Sequence, residues 1–205
     1  PGKGYGMICY CANPGMLSGV RNLRFETLKA RDGREFRGGI FVGAENAHLG
    51  MYVHDYLHAL GGLRDDKRLV PCLYDFDRQS DSFAGMPSFD HHAVYMGPWD
   101  VMSQHFIERM EPPPGLSSFT RIRLGWIQPN KVLIASPGTT SQAVLSPLSG
   151  SGDLLVIKIP LSDGGYYLIE NRQQIGFDRM LPDSGILILK VDPKAPEGHG
   201  TVKIM

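Results

Sequence analysis

His54-Asp55-Tyr56-Leu57-His58-Ala59-Leu60-Gly61 is the stretch that decides how the rest of the chain is read. On an α-helix, residues four apart project from one face. His54 and His58 therefore present two imidazoles at a spacing that suits a single zinc ion. A carboxylate directly after the first histidine faces the open side of such a metal and can take a proton from a water there. The usual residue at that place is Glu; here it is Asp55. Gly61 is expected to let the chain turn sharply beneath the metal. No proline interrupts residues 45–60, and Gly61-Gly62 follow, so a helix with a glycine stop is predicted.

Outward from this helix, the pattern changes to strands. Gly4 to Cys11 reads as a short strand ended by Asn13-Pro14-Gly15. Leu23 to Lys29 and Glu35 to Val42 form a predicted hairpin about Arg31-Asp32-Gly33-Arg34. Gly38 to Gly43 is a candidate edge strand on which an extended substrate pairs. Leu63 to Pro98 is charged and broken by Pro and Gly, and reads as loop. Pro112-Pro113-Pro114-Gly115 precedes a short helix, Leu116 to Leu124, closed by Gly125-Trp126. Three strands then stand out: Leu154 to Ile159, Tyr166 to Glu170 and Gly185 to Val191. The class is α+β, with residues 1–130 as the catalytic-type part and 131–205 as a C-terminal antiparallel β region packed on it.

Composition narrows the function classes. Lys+Arg and Asp+Glu both number 21, so a zero formal charge offers no electrostatic case for nucleic acid. No run approaches the roughly 20 apolar residues of a membrane-spanning helix. The expected partner, a protein or peptide substrate, rests not on composition but on the order of motifs along the chain. The 25 Gly and 15 Pro argue for many turns. The chain starts at Pro1, which reads as a processed product or a piece of a longer precursor. Cys9 and Cys11 lie on one face of a strand, a geometry that disfavours a bond between them. Cys72 has three roles open to it: a disulfide with either, a thiol, or a metal ligand.

More of the chain fits a known order of motifs. After His54 to Gly61 come Pro71-Cys72-Leu73-Tyr74-Asp75, then Gly97-Pro98-Trp99-Asp100-Val101-Met102-Ser103, then Leu124-Gly125-Trp126. Tyr167 to Arg172 and Gly185 to Ile188 follow. In this order, over Tyr52 to Asp192, the chain resembles the immune inhibitor A family of secreted zinc metallopeptidases. The resemblance implies a metzincin-like zinc-peptidase domain, secreted or at the cell surface, with zinc as cofactor and calcium as a candidate further ion. It implies a methionine turn below the metal, a role that falls to Met102. Asp100 is expected to brace that turn. Trp99 and Trp126 are expected in the core.

Two departures shape the site. Asp55 stands where the family has Glu, one methylene shorter, so its carboxylate falls short of the usual base position. Cys72 stands where the family has its third metal ligand, an Asp. The expected metal set is His54, His58 and Cys72, with Asp65, Asp66 or Asp75 as alternatives to the cysteine, and Asp55 as the catalytic base. His91 and His92 read either as solvated loop residues or as groups that reach the cleft. The expected function is zinc-dependent endopeptidase. The alternative is an inactive or weak pseudopeptidase that serves as a surface binding or structural module.

Overall fold

The computed structural model describes residues 4–5, 8–12, 20–44, 47–81, 92–108, 111–136, 138–140 and 142–205. Of residues 4–28, 36–44 and 80–81 only the backbone is described. The protein is mixed α+β and divides into two compact units, Pro1–Val70 and Pro71–Met205. The expected division at 130/131 falls inside the second unit.

The first unit is a sheet followed by one helix. Strands β1 (Gly4–Tyr5), β2 (Ile8–Ala12), β3 (Val20–Lys29) and β4 (Glu35–Ala44) share that sheet. β3 and β4 form the predicted hairpin. Gly33 takes φ 82°, Arg34 N–H donates to Asp32 Oδ1 at 3.1 Å, and Lys29 pairs with Glu35 at 3.3 Å across the strands. A glycine serves there because φ > 0 carries no Cβ penalty. β1 and β2 lie end to end along the other edge of β4, both parallel to it. From Ile40 to Gly43 the stretch Gly38 to Gly43 is therefore not an edge: β3 lies on one side and β2 on the other. Strand pairing on both sides removes those residues as a place for strand addition.

Helix α1 spans Leu49–Gly61, starting four residues later than the sequence predicts. His48 makes the start, its Nδ1 accepting the Gly50 N–H at 2.9 Å. An imidazole thereby takes the place of the usual Ser, Asp or Asn cap. The buried residues Gly50, His54, Leu57 and His58 fall on one face at helical spacing. The glycine pair ends the helix by two different means. Gly62 is the residue that turns, at φ 67°, its N–H donating to His58 O at 3.0 Å. Gly61 serves close approach: a Cβ there would meet Val70 Cγ2 at 2.7 Å. Residues 63–70, read as loop, hold a small hairpin of β5 (Leu63–Arg64) and β6 (Lys67–Arg68). Asp65 and Asp66 form its two-residue turn, both at positive φ, 51° and 57°, which is the backbone of a type I′ turn.

The second unit is built on a five-stranded sheet. Its order is β11 (Val202–Ile204), β10 (Gly185–Val191), β9 (Tyr166–Arg172), β8 (Val156–Pro160), β7 (Val132–Ile134). The sheet is antiparallel, as predicted, except for the parallel pair β7–β8. Along β10, Leu187, Leu189 and Val191 are buried while Ile186, Ile188 and Lys190 are exposed, the alternation of a strand with one covered face. Helix α2 (Phe76–Asp81) is capped by Asp75, whose Oδ1 accepts the Asp77 and Arg78 N–H groups at 2.9 and 3.1 Å. Helix α3 (Ser118–Arg123) ends on Gly125 at φ 72°, with Trp126 N–H returning to Arg121 O at 2.9 Å. That six-to-one bond is the Schellman stop. Trp126 itself is 55% exposed, so it is not the core residue expected from the sequence. Its backbone closes the helix and its ring faces solvent. Trp99 is half-buried.

Candidate metal centre

His58 is fixed first. Its Nδ1 lies 2.6 Å from the carbonyl of Val70, and both are buried. A carbonyl only accepts, so Nδ1 carries the proton and Nε2 keeps its lone pair. An imidazole held this way, with one nitrogen donating to backbone and the other unprotonated, is the form that binds metal. His54, one helical turn earlier, is also buried, and its Nε2 stands 3.0 Å from His58 Nε2. The rings meet edge to face, with centroids 4.5 Å apart and planes at 89°.

Cys72 follows Val70 by two residues and is a buried thiol. Among the described residues, His54, His58 and Cys72 form a group whose ligand atoms all lie within 4.8 Å of one another. The donor set could hold a metal ion. Two metal–nitrogen bonds of ~2.0–2.1 Å at a tetrahedral angle span roughly 3.3 Å, close to the observed 3.0 Å. A thiolate is a strong ligand for soft and borderline ions, and three protein ligands would leave a fourth position open.

The alternative third ligands lie elsewhere. Asp65 and Asp66 sit in the exposed turn of the β5–β6 hairpin. Asp75 spends its carboxylate on the α2 cap. Burial works against the charge of Asp75, but hydrogen bonds from Arg78, Tyr95 and Asp77 prevail and hold the carboxyl below its usual range.

Asp55 projects from the same helix and is half-buried. Burial pushes its carboxyl up to about 6, while the charge of Arg68 pulls against the rise. Arg68 is the neighbour the sequence does not single out. Its Nη1 stands 3.4 Å from His58 Nε2. It lies on β6, in a stretch read as loop.

The backbone around Cys72 is pinned within the second unit. Cys72 N–H donates to Glu197 Oε1 at 2.7 Å, and Leu73 N–H donates to Met102 O at 2.9 Å. Met102 is fully buried in a turn made by Asp100. Asp100 Oδ1 accepts the Met102 N–H at 2.8 Å; its Oδ2 accepts from Ser117 N, Ser117 Oγ and Thr120 Oγ1 at 2.9, 2.5 and 2.8 Å. Asp100 thus braces the methionine turn, as expected. Behind it lies a buried ion network: Arg172 pairs with Glu170 at 3.0 Å and Asp178 at 2.9 Å, and donates to Trp99 O at 2.8 Å.

His92 is buried, so the solvated-loop reading does not hold for it. Its ring packs on Tyr74 at 5.3 Å and on His105 at 4.6 Å, and it is not one of the three clustered ligands. His91, and the side chains of Cys9 and Cys11, lie outside the described residues. No described helix is long and apolar enough to cross a membrane. No protein-family model matches the chain, and comparison with curated proteins and with solved structures finds no significant match to either.

Proposed function

We propose that this chain is a zinc-dependent endopeptidase of metzincin-like type, related to the immune inhibitor A peptidases that its motif order resembles. The observation that carries the reading is the convergence of His54, His58 and Cys72 ligand atoms within 4.8 Å, with Asp55 on the same helix. Zinc, when bound, supplies Lewis acidity and lowers the pKa of an attacking water. The chain supplies the rest. Val70 O holds His58 in the binding tautomer. Asp55 accepts the water's proton and later returns one to the leaving amine. Burial raises the basicity of this carboxylate, which favours proton acceptance.

A second reading has its own support. Asp55 is one methylene shorter than Glu, and the Arg68 guanidinium stands at the His58 nitrogen that a metal would use. Both favour a pseudopeptidase that keeps the fold and binds partners without cutting them.

Metal content and cleavage of an unfolded protein substrate separate the two. Wild type should hold one zinc per chain and His54→Ala none. Slow cleavage by wild type, loss in Asp55→Asn and gain in Asp55→Glu at matched zinc support the peptidase. Zinc without cleavage in all three favours the pseudopeptidase, and absence of zinc from wild type ends the metal reading.

A further inference from the structure

The three ligands and Asp55 leave one requirement unmet. When water adds to a peptide carbonyl, the water oxygen–carbon bond forms, the carbonyl π pair moves onto oxygen, and a proton passes to the base. The new oxyanion then needs a cation or hydrogen-bond donors aimed at it. Once Asp55 has taken that proton it is neutral, but a Cys72 thiolate still offsets one of the two positive charges of a zinc ion. Such a site meets the oxyanion with one net positive charge, half that of a zinc ion held by neutral ligands, so a further cation has a role.

Resting on the metal reading above, we infer that Arg68 is the catalytic cation of this site, donating to the substrate carbonyl oxygen as it becomes an oxyanion. Its Nη1 is 3.4 Å from His58 Nε2, the unprotonated nitrogen that a metal would use. One lone pair serves one partner, so a metal there takes over from the Arg68 N–H and leaves the guanidinium beside it, where an oxygen drawn to that corner would meet it. Arg68 is half-buried, so its charge is less screened than that of a free surface residue. It also sits on fixed backbone. Arg68 is paired with Leu63 across the β5–β6 hairpin, and the next residue, Leu69, donates its N–H to Gly62 O at 3.0 Å. The hairpin is thus tied to the C-terminal end of α1, one turn from the ligand it serves. A guanidinium stays protonated throughout.

Inorganic phosphate, titrated calorimetrically into zinc-loaded protein, is the probe, with zinc content measured on each sample. Arg68→Met should bind phosphate about 10–100-fold more weakly, the value of one charge-assisted hydrogen bond, at unchanged zinc stoichiometry. Arg68→Lys should recover part of the loss, because it keeps the charge without the fork. With a peptide substrate, Arg68→Met should lower kcat more than it raises KM. Equal phosphate affinity in zinc-loaded wild type and Arg68→Met overturns the role of Arg68 alone. Zinc lost from Arg68→Met overturns it too, making Arg68 a support of the metal. Zinc absent from wild type overturns the metal reading with it, and zinc gained only by Arg68→Met makes the guanidinium a stand-in for the ion.

Discussion

Asp55 and His58 lie one helical turn apart, and their environments tune them in opposite ways. His58 is set by a hydrogen bond from Nδ1 to Val70 O, whereas Asp55 is set by burial that its charge resists. Its folded carboxyl lies near 6 against 3.8 when exposed. Between these values the folded protein holds more protons than the unfolded one, so stability falls as pH rises through the window. In chelator-treated protein, Asp55→Asn should therefore be more stable than wild type at pH 7, by about 1–3 kcal/mol. The difference should shrink to nothing below about pH 4, and urea melts at the two pH values check it. The pair of histidines was legible from spacing alone. Arg68 was not, because nothing in a two-residue strand gives it a period.

Helix α1 and the segment after it show how much of an element can be read in advance. The glycine stop was visible, but the separate tasks of its two glycines were not, since one depends on Val70 nine residues later. Gly61→Ala should cost about 1–3 kcal/mol, the usual penalty for overpacking. It should also weaken zinc binding, because Val70 would have to move and Val70 O holds His58. A thermal melt together with a zinc competition titration reads both effects; unchanged zinc affinity would detach the brace from the metal. Asp75 offers a milder test. It caps α2, and Asp75→Ala should cost about 1 kcal/mol. Its folded carboxyl lies below the ordinary value, so its contribution is present above that value and disappears as pH falls through the folded one. The β5–β6 hairpin was missed because its turn uses Asp65-Asp66, without the Asn-Gly or Asp-Gly signal.

Across the whole molecule, the C-terminal sheet was legible because β10 alternates cleanly, and the ion network beneath it was hidden for the opposite reason. Leu168, Glu170 and Arg172 all point to the covered face of β9, so two charges occupy places where the pattern predicts apolar side chains. Partners make that tolerable, some near and some distant in sequence: each other, Asp178 six residues on, the Trp99 carbonyl and the Ser118 N–H, which donates to Glu170 at 2.7 Å. Arg172→Ala leaves two buried carboxylates without their cation. It should cost about 3–5 kcal/mol, measured by urea unfolding, whereas Arg179→Ala, on the exposed pair with Glu111, should cost less than about 1 kcal/mol. The thiol corner depends on distance in the same way. Cys72 N–H is held by Glu197, 125 residues away, and Phe76 N–H by Gly198 O. A ribosome adding residues in order must therefore deliver the two histidines of α1 long before it delivers the clasp behind the cysteine. During that interval the nascent chain offers an imidazole pair and a sulfur whose backbone segment is not yet fastened. Metal capture should then be a late event in biogenesis, and Glu197→Ala should prolong the time for which Cys72 can be alkylated after dilution from denaturant.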